Sequence, residues 1–289
     1  MNKIYVLLPV HNRRQTTDRF LRCLQKQTHG DYHLILIDDG STDGTEEMVR
    51  RQIRDLTVIK GRGDWWWGGS LQQGYLWLKS QEMDRSDVAL IINDDTEFEA
   101  DFFEKALSLL KGRSRTLLFA RNVSPKTQRT FIGFRVDWRR LRIEYASTPE
   151  EVGGFPTRGV FLRVADFLEI GGFHPRLLPH HGADLEFTMR ASRKGMRLLS
   201  DPLLRLTFDE DPVRGYAKFK GDPRRDFLNK FFSKKSPDNP VMWTMLIALA
   251  CPWPWKVLNW ARVWASTGWK IVRYFFLLVL FKKGRRTSQ

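Results

Sequence analysis

Apolar residues come in short unbroken runs along the first hundred positions, and each run stops at polar or acidic residues. Residues 4–8 form the first run, which gives way to Pro9, Val10 and His11. Residues 34–37 form the second and end at Asp38-Asp39-Gly40. Residues 88–92 form the third and end at Asn93-Asp94-Asp95. Between the runs the period changes. Phe20, Leu21 and Leu24 share one face of a predicted helix over about 17–27. A second helix is expected to start near Thr45, whose hydroxyl is placed to cap it, with Glu46 and Glu47 favourable in the first turn. A third spans about 101–110. Wholly apolar strands alternating with helices predict an α/β domain with a mainly parallel sheet covered on both faces.

The middle of the chain is less regular. Residues 131–134 and 141–145 are expected to be strands of a smaller mixed sheet, and Gly153-Gly154 and Gly171-Gly172 to be turns. Short helices are predicted over 163–170 and 185–194, the latter with Glu186 and Arg190 at i,i+4 spacing. Near the end, residues 241–255 are apolar but include Pro252 and Pro254, and they fall short of the roughly 20 residues a spanning helix needs. Residues 256–276 are amphipathic at 100° per residue. Lys256, Asn259, Arg262, Ser266, Thr267, Lys270 and Arg273 share one arc. Val257, Trp260, Trp264, Ala265, Trp269, Ile271, Phe275 and Phe276 share the other, with Val263 and Tyr274 out of pattern. A Lys/Arg face opposite a Trp/Phe face is the signature of a helix lying in a membrane interface. Packing on the body or dimerisation are the alternatives.

Composition sharpens this division. Hydrophobic residues make up 42% of the 289 residues and charged residues 28%, which excludes a wholly disordered chain. Residues 1–212 carry 32 Lys/Arg against 30 Asp/Glu, whereas residues 213–289 carry 16 against 3. A near-neutral body over 1–212 is thus followed by a basic, Trp-rich tail over 213–289 that should seek a polyanion. No nucleic-acid recognition motif is present, and an apolar Trp face suits anionic lipid better than a phosphate backbone. The two cysteines, Cys23 and Cys251, lack metal-ligand spacing and suit a reducing compartment. Cys23 is expected to be a small core residue on its helix. The N-terminal apolar run is too short for a signal peptide.

In parallel sheets, ligands bind beyond the carboxyl ends of the strands. Two runs end there in paired aspartates. Four carboxylates on one rim repel each other unless a divalent metal or sugar hydroxyls lie between them. Taken alone, Asp38-Asp39-Gly40-Ser41 reads first as a simple turn.

Five stretches decide the matter. VLLPVHNR, DDGSTDGT, NDDTEFEADFF, GVFLRVADFLEIGGFHP and GADLEFTMRASRKG follow one another in order over about 1–205. Together they resemble family 2 glycosyltransferases of the GT-A fold, and the body resembles their rhamnosyltransferase-like branch. The resemblance implies an inverting enzyme. It would move a sugar from a nucleotide-diphosphate donor, with uridine or deoxythymidine as the nucleoside, to a hydroxyl acceptor. The acceptor would be a lipid-linked or cell-envelope glycan, met on the cytoplasmic face of a membrane where the tail attaches the protein peripherally. It implies Asp95 as ligand of Mg²⁺ or Mn²⁺, Asp94 as the contact to ribose or phosphates, and Asp39 as the partner of the base. Pro9, Val10 and His11 would form the loop lining the nucleotide. Asp184 falls at the position of the family's catalytic base, and the run Trp65-Trp66-Trp67-Gly68-Gly69 at that of an aromatic-glycine turn near the donor, with Trp67 the residue expected to touch it. A helix N-cap is the alternative for Asp184, but its place six residues before Arg190, after the Pro179-His180-His181-Gly182 loop, favours the catalytic role. His180 and His181 are read as loop or acceptor-side residues, since neighbours in extended chain point opposite ways.

Two departures stand out. The Glu usual before the catalytic Asp is Ala183, and a His usual further on is absent, with Asp209 the nearest substitute ligand. They keep open the alternative of a degenerate, non-catalytic protein that binds nucleotide sugar or glycan at a membrane.

Overall fold

The three apolar runs become the centre of one sheet. A computed structural model of the chain describes residues 2–208, 231–234 and 236–284, with side chains as far as residue 276. Asp209 lies outside them. Strands β1 (Ile4–Val10), β2 (Tyr32–Asp38), β3 (Leu56–Lys60) and β4 (Val88–Ile91) pair in parallel in the order β3-β2-β1-β4. Two further strands extend this sheet, β6 (Thr116–Val123) and β10 (Val160–Arg163). β10 lies antiparallel between β4 and β6. β11 (Arg197–Phe208) runs parallel to β6, then antiparallel to the short β5 (Thr96–Glu97), and β7 (Thr130–Phe131) pairs with the end of β6. The smaller sheet is a two-stranded antiparallel hairpin, β8 (Phe134–Asp137) with β9 (Arg142–Tyr145).

Helices cover the sheet: α1 (Arg14–Leu24), α2 (Thr45–Gln52), α3 (Trp66–Ser80), α4 (Phe102–Leu110), α5 (Val164–Ile170) and α6 (Ala183–Arg193). Phe20, Leu21 and Leu24 of α1 are fully buried with Phe102 and Phe103 of α4 and Ile4, Val6 and Leu8 of β1. Each such side chain contributes roughly 1.5–3 kcal/mol by leaving water. Three expectations need correction. Trp66-Trp67-Gly68-Gly69 is the first turn of α3 rather than a free turn. Thr45 does not cap α2: Gly44 holds the cap position, and Asp43 Oδ1 accepts from the Thr45 N–H at 3.1 Å. Cys23 is only half-buried, because Leu21 and Leu24 take the core-facing positions around it.

The chain divides into two compact units, Met1–Asp137 with Arg142–Pro212, and Trp138–Leu141 with Val213–Gln289. The second holds α7 (Pro240–Ala250) and α8 (Trp253–Gly284). Asn239 caps α7, its Oδ1 accepting from Val241 and Met242 N–H, and Pro240 occupies the first helical position. Pro252 separates the two helices, so the run 241–255 is not one element. Ile247, Cys251 and Val263 form this unit's core, with Trp138, Leu141, Trp243, Trp255 and Trp260 packed on it. Asn259 is fully buried and its amide donates to the Trp138 carbonyl at 2.8 Å. Thr267 is buried as well. Part of the polar arc of 256–276 therefore turns inward. Val257, Trp264, Trp269 and Phe276 of the apolar arc are exposed. No helix among the described residues is long and apolar enough to cross a membrane.

Candidate active site at the strand ends

Parallel pairing puts the ends of β1, β2 and β4 on one rim, and the segments that follow them are laced together. The Asn12 N–H donates to Ser41 Oγ at 2.9 Å, and Asn12 Oδ1 accepts from the Thr42 N–H at 2.8 Å. The Arg14 N–H donates to Asp43 Oδ2 at 2.9 Å. Asp38 turns back on its own loop, Oδ1 accepting from the Ser41 N–H at 2.8 Å. Pro9 and Val10 are strand residues, both buried, with Val10 in the core. The loop after β1 thus begins at His11, which is exposed. His11 Nδ1 must be the donor toward the Asp39 carbonyl at 2.6 Å, since a carbonyl only accepts, and this leaves Nε2 as acceptor for the Asn12 amide at 3.2 Å.

Asp39 is buried and fastens the start of α3. Oδ1 accepts from the Gly63 N–H at 2.8 Å, and Oδ2 from the Trp65 and Trp66 N–H groups at 2.9 and 3.1 Å. Bonds to a charged acceptor contribute about 1.5–3 kcal/mol each. They hold Trp66 at φ +59°, a conformation that a bulky residue keeps only when its surroundings impose it. Gly68 is needed next: a Cβ there would lie 2.5 Å from the Leu178 carbonyl oxygen and 3.2 Å from Ala183 Cβ. The Gly68 N–H donates to the Pro179 carbonyl at 2.8 Å. The first turn of α3 therefore sits against the loop leading to Asp184, and small Ala183 is part of that fit.

Asp184 is the second residue of α6; Gly182 takes the cap position, so Asp184 is not an N-cap. Oδ1 accepts from the Leu185 N–H at 2.9 Å. Burial pushes its carboxyl above the usual aspartate range, against bonds from backbone N–H groups, Thr157 among them, and the charge of His181. The rings of His180 and His181 stand 4.8 Å apart, side by side rather than opposed, and His180 meets the Trp66 ring at 5.9 Å. Trp67 Nε1 donates to Thr157 Oγ1 at 3.1 Å. On α6 itself, Glu186 is buried and paired with Arg190 at 2.9 Å, and Arg190 Nη2 donates to the Gly172 carbonyl at 2.6 Å.

Asp94 and Asp95 differ in their surroundings. Arg13 Nε donates to Asp94 at 2.8–2.9 Å, and Thr17 Oγ1 adds a bond at 3.0 Å. Burial still raises the Asp94 carboxyl above its ordinary value against that attraction. Asp95 Oδ1 is buried and has no hydrogen-bond partner. Arg13 Nη2 lies 3.5 Å from Oδ2 and Arg158 Nε 3.7 Å from Oδ1. A cavity of about 210 Å³ opens beside the pair, lined also by Arg19, Thr207 and Phe208. No three His, Cys, Asp or Glu side chains converge on a metal position among the described residues.

The predicted residues are thus linked around one rim. Asp39 holds Trp65 and Trp66, Trp67 meets Thr157, the Thr157 N–H meets Asp184, and Arg158 meets Asp95. The sequence reading missed Arg13, Thr17, Thr157 and Arg158. Arg13 follows a strand end within an Asn-Arg-Arg run, which was a usable signal; the other three carry none. Residues 5–166 match the family model Glycosyl transferase family 2, and residues 88–282 match Glycosyl transferase family group 2. The chain belongs to glycosyl transferase family 2. Among curated proteins, none matches. Similar solved structures include GalNAc-T7 with UDP, GalNAc and Mn²⁺, at TM-score 0.59 and 14% identity over 88% of this chain and 52% of that one. This family member therefore spans about half the length of GalNAc-T7. The mannosyltransferase PcManGT from Pyrobaculum calidifontis, in complex with GDP-Man and Mn²⁺, matches at TM-score 0.56 and 17% identity over 98% of this chain and 81% of that one. Staphylococcus aureus TarS residues 1–349 match at TM-score 0.56 and 16% identity, over 86% and 81%. These likenesses show that the family member has the GT-A fold.

Proposed function

We propose that the protein is an inverting glycosyltransferase of hexosyl or deoxyhexosyl type that uses a nucleoside-diphosphate sugar. The observation behind this is the shared rim: Asp95 with an unpartnered buried oxygen, and Asp184 with a raised carboxyl, both next to the Thr157-Arg158 segment. A carboxylate oxygen left open beside a cavity suits a hard divalent cation, and one carboxylate plus diphosphate oxygens and water is an ordinary Mg²⁺ or Mn²⁺ donor set. Asp95 would hold that ion, which would supply neutralisation of the charge growing on the leaving diphosphate. Asp39 fixes the loop that faces the base, and Asp94 fixes Arg13. Asp184 takes the proton of the attacking acceptor hydroxyl, for which a raised carboxyl is the stronger base. Attack from the side opposite the leaving group inverts the anomeric carbon. Ala183 fills the space against Gly68, so the missing Glu is accommodated and the base is untouched.

The acceptor side is read from the second unit. Exposed Trp253, Val257, Trp264, Trp269, Val272 and Phe276 offer an apolar stripe, and the tail carries most of the excess positive charge. Such a surface suits an anionic membrane, and with it a lipid-linked or cell-envelope glycan on the cytoplasmic face. Incubation with Mn²⁺, a panel of nucleotide sugars and a membrane extract tests the reading. Asp95→Ala and Asp184→Asn should each lose at least a hundredfold in transfer while keeping the native circular-dichroism spectrum. Transfer at the wild-type rate in both variants would reject it, and a product of retained anomeric configuration would reject inversion.

A further inference from the structure

Asp95 is bracketed by two guanidinium groups and hydrogen-bonded to neither, at 3.5 Å from Arg13 Nη2 and 3.7 Å from Arg158 Nε. Asp95 Oδ1 and Arg158 Nε are both buried, and both lack a hydrogen-bond partner. Buried polar atoms are normally satisfied, and these two orphans of opposite charge face each other at 3.7 Å, too far for a hydrogen bond, which marks a pair that a further polar group completes. An anion alone would be repelled by Asp95, and a cation alone by Arg158 and Arg13. An oxyanion that brings its own divalent ion would suit all three.

The backbone holds Arg158 at this spot. β10 runs antiparallel to β4, with Val160 opposite Ile91, so the residues before β10 lie beside the end of β4 where Asn93, Asp94 and Asp95 follow. Gly159 has φ +85°, and a Cβ there would lie 2.5 Å from Leu206 Cδ2. The Gly159 N–H donates to the Ile91 carbonyl and its own carbonyl accepts from the Ala120 N–H, both at 2.9 Å. The Arg158 carbonyl accepts from the Asn122 amide at 3.2 Å. The guanidinium lies over the Phe208 ring, 4.6 Å from its centroid, an arrangement that fixes its plane and leaves its N–H edge free to donate.

The geometry points to Arg158 as a diphosphate-binding residue, donating to phosphate oxygens of the nucleotide beside Asp95, which would hold the divalent ion. This rests on the nucleotide-sugar reading above. Part of the leaving group's charge is then met by the protein itself, so some diphosphate affinity survives removal of the metal. Calorimetric titration of the full chain with the diphosphates of uridine, guanosine, thymidine, cytidine and adenosine, with Mn²⁺ and with EDTA, tests it. Arg158→Ala should weaken binding of the preferred diphosphate about tenfold in both conditions, and Arg158→Lys should recover part of the loss. Asp95→Asn should lose only the Mn²⁺-dependent increment. If Arg158→Ala does not fold, Arg158→Gln, which keeps a planar group over Phe208, carries the same expectation. Wild-type affinity in these variants overturns the proposal, as does a loss confined to the Mn²⁺ condition, which would mean that Arg158 only positions Asp95. If the folded wild type binds none of the five diphosphates, the nucleotide-sugar reading itself fails and this inference with it.

Discussion

Burial raises the Asp184 carboxyl above the ordinary aspartate range, and this sets both its basicity and its cost in stability. The folded state then holds the proton more tightly than the unfolded chain does. Stability from this group is full below the unfolded value, near pH 4, and is lost as pH rises through the higher folded value. Asp184→Asn should therefore melt higher than wild type near neutral pH, by about 2 °C for each kcal/mol relieved, with the gap closing toward about pH 4. Scanning calorimetry across pH checks this, and a lower melting point at neutral pH would contradict it. The same raised value places the acid limb of kcat/KM above the ordinary aspartate range. The carboxylates of this rim were legible because each ends an apolar run. Their partners were not: Thr157 and Arg158 reach Asp184 and Asp95 only because an antiparallel strand folds back beside β4, a long-range pairing that local spacing does not encode.

Among the elements, α3 shows how a helix start serves the site. Three N–H groups at its entrance bind Asp39, and Gly68 lets the first turn meet the loop before Asp184. Gly68→Ala places a methyl 2.5 Å from the Leu178 carbonyl oxygen, so α3 or the 178–183 loop must shift. We expect a fall in kcat of at least tenfold with a melting-point loss of only a few degrees; an unchanged kcat would show that the contact does not position Asp184. At Gly159 alanine is opposed by the positive φ and by Leu206 together, and a loss of about 1–3 kcal/mol in denaturant unfolding is expected. Strands β1, β2 and β4 were readable because both their faces are covered. β11 was not: Arg197, Asp201 and Arg205 interrupt it, and its register shifts between Asp201 and Arg205. β3 was missed because it is only half-buried. Trp65-Trp66-Trp67-Gly68-Gly69 hid the start of α3, since paired glycines read as a turn and Trp66 enters with positive φ.

At the scale of the chain, a near-neutral α/β unit is joined to a basic unit with an exposed aromatic stripe. The amphipathic pattern of 256–276 was legible, but which arc would be covered was not, because Trp138–Leu141 belongs to the second unit although it is distant in sequence. If the stripe meets lipid, Trp264→Glu with Trp269→Glu should cut co-flotation with anionic liposomes at least fivefold and leave donor hydrolysis in detergent unchanged. Equal flotation of variant and wild type would exclude a membrane role for that face. The most direct check on the enzyme assignment is one calorimetric comparison: the nucleoside diphosphate preferred by the wild type, titrated with and without Mn²⁺ into Asp95→Asn and Asp184→Asn. We expect Asp95→Asn to lose the Mn²⁺-dependent part of the affinity and Asp184→Asn to keep it in full. If both variants bind as the wild type does, or both lose the metal effect alike, then Asp95 and Asp184 do not divide the work between leaving group and acceptor.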